Sequence, residues 1–291
     1  LSCKQCFRHD PASKRVIGDM SYDTFFKIIQ QLKNVFDVSL IGLGESFLNK
    51  DLYKMIDLLG KKKIDVSLTT NGTVFDNQIL DAINRVKKVQ IQFSLDAANQ
   101  NTYKHVRGVD CFETVINNIQ KFMEMKDINV IVSLGLVVMR DNVNELTDFI
   151  MLAKRLGIRR VHFGDLNGSW LGNNRDELLI DTKENLERNI KNVYQLANEN
   201  GIDLKYNRYS YIWKDQANLT KCWFLWEFPY ITWDGYLCSC CNLPNPETHN
   251  FGNVLKIPFS QLWNSMAYRN FRKLLKEGCP HKLCQTCHLA Q

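Results

Sequence analysis

A chain of 291 residues with 45% hydrophobic content can bury one large core and a small second domain, and its net charge of +6 comes without the arginine-rich, aromatic-interleaved stripe of a nucleic-acid surface. No apolar run approaches the ~18 residues of a membrane helix, and no apolar segment follows a basic start. Ten cysteines, seven of them between Cys222 and Cys287, point to reduced thiols gathered as metal ligands in a cytoplasmic protein; a disulfide framework belongs to chains too short to build a core.

The chain opens on Cys3-Lys4-Gln5-Cys6, a C-x2-C pair that suits a zinc knuckle, a thiol-disulfide enzyme or part of an iron-sulfur site equally well. Phe25, Ile28, Ile29 and Leu32 then recur at helical spacing, so Ser21 to Lys33 is a predicted helix with Ser21 as its N-cap. Strands are predicted over Asp37 to Leu43, Asp65 to Thr70, Lys88 to Leu95, Asn129 to Val138 and Arg159 to Asp165. Between them lie helices over Leu52 to Lys61, Asn77 to Ile83, Cys111 to Met125 and Asn144 to Leu156. This alternation implies a parallel sheet with ligands at the C-terminal strand ends, in an open or a barrel form. The Lys61-Lys62-Lys63 run falls at a helix end, where cations are favoured. A loop rich in Gly, Asn and Ser at Gly168 to Asn174 marks a domain edge, and a long helix follows over Lys183 to Asn200. The expected organisation is therefore residues 1–168 as the α/β domain, 169–218 as connecting loop and helix, and 219–291 as a small cysteine-rich domain held by metal.

Several strand ends carry residues of chemical interest. Gly42-Leu43-Gly44-Glu45-Ser46 is not a dinucleotide fingerprint, because Phe47 stands where the third glycine would be; it is a tight turn or a place where backbone approaches a ligand. Asn71-Gly72 is a turn signal. Ser94-Leu95-Asp96, with Arg107-Gly108 further on, reads as a helix cap and a surface arginine, while His162, Asp165 and Asn167 end the last strand, where substrate contact and ordinary loop polarity explain them equally. Near the C-terminus Cys222 precedes Asp234-Gly235, a hairpin turn that brings Cys240 back towards it, and Cys284 and Cys287 form a second C-x2-C; four such thiolates suit zinc or a fully ligated 4Fe-4S cluster, with zinc favoured by spacing alone.

Taken in this order, the motifs resemble the radical S-adenosylmethionine (radical SAM) superfamily, whose signature is C-x3-C-x2-C. The resemblance implies a partial (βα)6 barrel. Cys3 and Cys6 match the last two cluster ligands, which places the first before Leu1. Gln5 stands where the family has an aromatic residue, leaving Phe7 as the adjacent candidate for the adenine contact. Gly42, Gly44 and Glu45 are similar to the G-G-E-P motif that binds the cofactor's amino group, with departures at Leu43 and Ser46; Asn71 matches a T-N-G beside the cofactor. The run Ser94-Leu95-Asp96-Ala97 to Arg107-Gly108 resembles the subgroup with a SPASM or twitch domain, which implies Ser94 at the ribose, Asp96 in the same motif, and Arg107 on the cofactor carboxylate. C-x12-G-x4-C with a terminal C-x2-C resembles the twitch form, implying one auxiliary 4Fe-4S cluster on Cys222, Cys240, Cys284 and Cys287.

The activity so implied is reductive cleavage of S-adenosylmethionine to a 5'-deoxyadenosyl radical that abstracts hydrogen from a substrate, with a flavodoxin or ferredoxin as electron donor. A ribosomal peptide is the expected substrate, and a small polyol or aminocyclitol the alternative. Cys238, Cys241 and Asp165 are the candidates for a further catalytic group. A non-catalytic zinc protein that binds a partner is the alternative of another class; it explains the cysteines but not the motifs at successive strand ends.

Overall fold

The computed structural model describes residues 1–6, 8, 17–165, 183–207, 222, 224–241, 243–279 and 284. Phe7, Asn167, the loop over 168–174 and Cys287 lie outside the described residues. The chain divides into two compact units, Leu1–Asp10 with Phe36–Ile212, and Pro11–Val35 with Trp213–Gln291.

The first unit is built on six parallel strands in sequence order: β1 (Asp37–Leu40), β2 (Asp65–Thr70), β3 (Val89–Ser94), β4 (Val130–Val138), β5 (Arg160–Asp165) and β6 (Asp203–Asn207). Among the described strands β1 and β6 are the two edges, so the sheet is open, and a parallel order that always advances to the next neighbour is that of a partial barrel. Helices α2 (Leu52–Lys61), α3 (Asn77–Asn84), α4 (Gln100–Arg107), α5 (Phe112–Met125), α6 (Leu146–Arg155) and α7 (Lys183–Glu199) lie between the strands in the chain.

Strict alternation along β2, β3 and β5 decides which face is core. Val66, Leu68, Ile91, Phe93, Val161 and Phe163 are buried, and the rings of Phe93 and Phe163 meet Phe122 of α5 and Phe149 of α6 at 5.4 and 5.9 Å. Each ring so buried contributes roughly 1.5 to 3 kcal/mol. The alternate residues, Ser67, Thr69, Gln92, Ser94, His162 and Gly164, form a polar second face. Parallel sheets are normally apolar on both faces; a polar face on this one is a surface for ligands.

The second unit takes α1 (Tyr22–Gln31) from near the start of the chain. Ser21 caps it, its Oγ accepting from Thr24 N at 3.2 Å. Its buried stripe is Phe25, Ile28 and Ile29, of which Ile28 packs with Leu237, Val254, Leu262 and Tyr268. The Gln31 side chain fixes the join, donating to Val254 O at 3.0 Å and accepting from Phe259 N at 2.9 Å. The rest is α8 (Phe224–Glu227), a hairpin of β7 (Tyr230–Ile231) and β8 (Leu237–Cys238), α9 (Phe259–Trp263) and α10 (Met266–Lys276). Gly235, at φ +90°, makes the hairpin turn expected of Asp-Gly.

Candidate functional site

The opening cysteine loop is held by the end of α4. Ser2 N and Lys4 N donate to the carbonyls of Arg107 and Val106, both at 3.1 Å, and Cys6 N donates to Cys3 O at 3.1 Å. Gly108 makes this approach feasible: it ends α4 at φ +73°, and a Cβ there would lie 2.6 Å from the Ser2 carbonyl oxygen. The Arg-Gly dipeptide thus does two jobs, since the glycine admits the loop and the arginine lies under it.

Arg107 is only 6% exposed. Its Nη2 lies 2.9 Å from Asp96 Oδ2, and Nη1 donates to Cys3 Sγ at 3.7 Å. Burial opposes its charge, but Asp96 and then Cys3 more than offset that, so the guanidinium is held above its ordinary pKa. Asp96, 3% exposed and at a left-handed φ of 61°, is the hub: Oδ2 also accepts from Gln5 Nε2 at 2.7 Å, Oδ1 from Val137 N at 2.8 Å, and its carbonyl from Asn142 Nδ2 at 2.9 Å. A carboxylate only accepts, so the amide of Gln5 must turn its nitrogen to Asp96 and its Oε1 away. That Oε1 is buried without a hydrogen-bond partner, as are Arg107 Nε and Nη2, the latter at ion-pair distance from Asp96 but misaligned for a hydrogen bond.

These groups open on a cavity of about 390 Å³ that Cys3, Gln5, Cys6, Asp96 and Arg107 line together with Gln92, Ser94, Gly135, His162 and Gly164 of the strands. His162 Nδ1 meets Gln92 Oε1 at 2.9 Å, and Gly135 makes room for that amide, since a Cβ there would sit 2.5 Å from Gln92 Nε2. Burial first, then Lys205, then Arg160 lower the pKa of His162, while Asp203 opposes them.

Glu45 joins the loops after β1 and β2: Oε1 accepts from Thr70 Oγ1 at 2.7 Å and Phe47 N at 3.0 Å, and Oε2 from Asn71 N at 2.6 Å. Asn71 Oδ1 in turn accepts from Thr73 N at 2.9 Å. Glu45 and Asn71 therefore shape the loops, while a Cβ at Gly42 or Gly44 would meet nothing within 4 Å. Asp165 is buried and accepts from the Tyr206 hydroxyl.

In the second unit, Cys222 and Cys284 both pack against the cluster of Leu225, Phe271 and Leu275. Burial raises the pKa of the Cys222 thiol, and the backbone N–H groups of Phe224 and Leu225 partly offset this. Cys240 follows β8 and is half-buried, Cys238 is fully buried, and Cys241 and Cys279 are exposed. The thiols of Cys240 and Cys238 lie near Tyr268, which is fully buried. Ser239 Oγ, Tyr268 Oη and Arg272 Nη2 are among the buried polar atoms of this unit that meet no hydrogen-bond geometry. Among the described residues no three His, Cys, Asp or Glu side chains are gathered closely enough to hold a metal ion.

The first site nevertheless fits a thiolate-bound cluster by its chemistry: Cys3 and Cys6 share a cavity with the buried cation of Arg107, as an anionic ligand beside a cluster requires, while in the second unit Cys222 and Cys284 pack against one cluster of side chains. The contributions of Gln5, Gln92, Tyr268 and Arg272 were not marked by any motif; for Gln5 the signal was its departure from the aromatic residue the resemblance leads one to expect.

Comparison with known proteins agrees with this chemistry. Residues 1–153 match the radical SAM superfamily, and residues 222–288 match an iron-sulfur cluster-binding domain, SPASM. The chain is 21% identical to a tungsten-containing aldehyde ferredoxin oxidoreductase cofactor-modifying protein of Pyrococcus furiosus, over 99% of this chain and 84% of that one. A probable GTP 3',8-cyclase of Saccharolobus islandicus is 32% identical over 53% of this chain and 49% of its own, so this chain spans about half the length of that relative. In structure it is similar to Streptococcus suis SuiB bound to its precursor peptide SuiA, with a TM-score of 0.70, 15% identity and coverage of 99% of this chain and 66% of that one. Native anSMEcpe with bound S-adenosylmethionine gives 0.71 at 16% identity, over 99% and 84%. These likenesses establish the six-strand α/β fold, and the two domain matches carry with them 4Fe-4S clusters and S-adenosylmethionine as cofactors. With the match covering more than half of its residues, the chain belongs to the radical SAM superfamily and is a radical SAM enzyme with a C-terminal SPASM domain.

Proposed function

We propose that this enzyme oxidises a peptide by hydrogen-atom abstraction. The observation that carries the reading is that the cysteine loop and the polar face of the sheet line one cavity, which Cys3, Cys6 and Arg107 share with Gln92, Ser94 and His162. Those side chains offer both donors and acceptors, which suits the amide groups of a peptide chain. The likeness to a SuiB structure that contains a precursor peptide supports the same substrate class.

Bound there, the cluster and S-adenosylmethionine supply an electron and a hydrogen-abstracting radical. Cys3 and Cys6 would hold the cluster. Arg107 would take the cofactor carboxylate through its guanidinium, whose Nε has no hydrogen-bond partner and whose Nη2 is ion-paired with Asp96, the planar fork being suited to a carboxylate. Asp96 keeps that fork charged and oriented, Ser94 lies at the ribose, and Glu45 sets the two loops whose open glycines, Gly42 and Gly44, leave backbone free for the amino group. His162, kept neutral by burial, is in the state to accept the proton that an oxidised substrate releases. Cys222, Cys240, Cys284 and Cys287 would hold the auxiliary cluster, which would offer a site for electron transfer, and a flavodoxin or ferredoxin would be the electron donor. The null role of an inert thiol suits Cys238, buried against Pro244 O, better than the role of hydrogen donor.

A second reading is oxidation of a small molecule. It draws on the relatives that match along the whole chain, since one is named for modifying a tungsten-enzyme cofactor and another, 24% identical over 99% of this chain and 87% of its own, as an S-adenosylmethionine-dependent heme synthase of Methanosarcina barkeri. The two readings separate in one assay. Formation of 5'-deoxyadenosine by the reduced full-length enzyme should be stimulated by cell extract, and protease treatment of the extract should remove that stimulation. Stimulation that survives the protease assigns a small molecule, and no 5'-deoxyadenosine under any condition removes the enzyme reading.

A further inference from the structure

Gln92 reaches across a whole strand. It stands on β3 and His162 on β5, with β4 between them, so their backbones are two strand spacings apart, roughly 9.5 Å. Even so, Gln92 Oε1 lies 2.9 Å from His162 Nδ1. The register shows how. Gly135 of β4 pairs with His162 on one side and Ser94 on the other, so the position over which the amide passes carries no side chain. A Cβ there would lie 2.5 Å from Gln92 Nε2 and 2.8 Å from its Cδ, yet the φ of Gly135 is not left-handed. What this glycine supplies is therefore room rather than backbone conformation. Ser133, level with Gln92 on β4, does not compete for the amide, since its hydroxyl donates to Ile91 O at 3.4 Å.

The bond decides where the ring proton sits. An amide oxygen only accepts, so Nδ1 is the nitrogen that donates, and a neutral ring then has its lone pair on Nε2. A free neutral imidazole prefers the opposite form, with the proton on Nε2. Gln92 and His162 line the same cavity as Cys3, Cys6 and Arg107, and with Nδ1 engaged, Nε2 is the ring nitrogen left to meet a ligand there. Burial, Lys205 of β6 and Arg160 of β5 favour the uncharged ring, against Asp203 of β6. Taking a proton at Nε2 leaves the Nδ1–H bond to Gln92 as it was, because both nitrogens of an imidazolium are donors.

We propose that Gln92 is a positioning residue for His162: passing over Gly135, its amide holds the imidazole as the Nδ1–H tautomer and so presents Nε2 to the cavity as the proton acceptor. This rests on the reading that His162 takes the proton an oxidised substrate releases. Of the hydrogen atom, electron and proton that such an oxidation removes, the ring takes the proton alone, the hydrogen atom passing to the 5'-deoxyadenosyl radical and the electron to an iron-sulfur cluster. Gln92 itself touches no reacting atom. Its length matters as much as the bare glycine, since asparagine would stop one methylene short of the ring.

The test is nitrogen NMR of the full-length holoenzyme, isotopically labelled at its histidine nitrogens and recorded at a pH where the ring is neutral, with His162 assigned by the signals lost in His162→Gln. Wild type should carry its proton on Nδ1. Gln92→Met keeps the length without the oxygen acceptor and should move the proton to Nε2. Gly135→Ala should do the same, since its methyl group displaces only the flexible end of Gln92, and Gln92→Glu, which keeps an acceptor, should retain the wild-type tautomer. A wild-type proton on Nε2, or a tautomer unchanged in both Gln92→Met and Gly135→Ala, would overturn the positioning role. The same variants are then compared in extract-stimulated 5'-deoxyadenosine formation. Gln92→Met and Gly135→Ala should lose roughly tenfold or more, as loss of a positioned proton acceptor does, and Gln92→Glu should lose less than either. A switched tautomer with an unchanged stimulated rate would show that Nε2 is not the acceptor and would overturn the inference. A wild type that no extract stimulates would remove the underlying substrate reading, an outcome the nitrogen spectra keep apart from a failure of Gln92 to set the tautomer.

Discussion

The two cysteine sites are built on opposite principles. Cys3 and Cys6 lie on a loop that a finished structure holds from outside: two backbone hydrogen bonds to the end of α4, a buried Arg107–Asp96 pair, and behind them a six-strand sheet with helices packed on its apolar face. Cys222, Cys240 and Cys284 belong to a unit whose cores are small groups of side chains, with Ser239, Tyr268 and Arg272 each having a buried polar atom that meets no hydrogen-bond geometry. Where the fold precedes the metal, the protein can leave an iron open for chemistry; where the metal completes the fold, the site has to be closed.

Removing iron should therefore expose the difference most strongly. Chelation under anaerobic conditions should abolish amide-exchange protection in α8 and α10 while leaving that of β2, β3 and β4 near its holo level. Equal loss in both units, or none in either, would remove the distinction. The next effect is smaller and confined to the loop. Gly108→Ala both imposes a left-handed φ on a residue with a Cβ, at about 1 to 2 kcal/mol, and drives that Cβ into the Ser2 carbonyl, whereas Gly157→Ala, at φ +69° with nothing within 4 Å, carries only the first cost. Gly108→Ala should lose the first cluster on reconstitution and Gly157→Ala should keep it; equal cluster contents would show that the loop does not depend on its seat at α4.

A change within the cofactor corner comes next. Arg107→Lys removes the planar fork and should weaken S-adenosylmethionine binding by about 1.5 to 3 kcal/mol, the range for a hydrogen bond to a charged group. Calorimetric affinity unchanged from wild type would leave Arg107 as a partner of Asp96 alone. The smallest effect lies on the far wall. His162 has a pKa below its ordinary value, so the stability linked to its neutral form is present above the unfolded value of about 6.5 and is lost as pH falls from there through the lower folded-state value. Lys205→Ala removes one of the charges that lower it, and the imidazole titration followed by NMR should move up; burial, the larger cause, remains, so the move should be partial.

Much of the first unit was legible because its alternation is strong. The spacing of Val66 and Leu68, Ile91 and Phe93, and Val161 and Phe163 announced strands that the structure contains, and Leu52–Lys61 and Asp65–Thr70 are the predicted spans unchanged. β6 was missed because Asp203–Asn207 is an edge strand with only Leu204 and Tyr206 as apolar residues. α4 was missed because Gln100–Arg107 is short and polar, burying little beyond Tyr103, Val106 and Arg107. The periodicity of Phe25, Ile28 and Ile29 revealed an amphipathic helix but carried nothing about which core it serves, and contacts that span more than two hundred residues, such as Gln31 with Val254, leave no local mark. In the site, the cysteines and Arg107 were visible as motif positions. The Gln5–Asp96 bond and the Gln92–His162 pair were not, because each is a meeting of side chains from different strands and loops.

The account turns on which cysteines cleave S-adenosylmethionine, and formation of 5'-deoxyadenosine by the dithionite-reduced full-length enzyme measures this directly. Cys6→Ala should form none, while Cys284→Ala with Cys287→Ala, checked for wild-type first-cluster content and for the circular dichroism of the first unit, should form it at a rate near wild type. Cleavage retained by Cys6→Ala, or lost by the double variant with its first cluster intact, would contradict the assignment of the two sites.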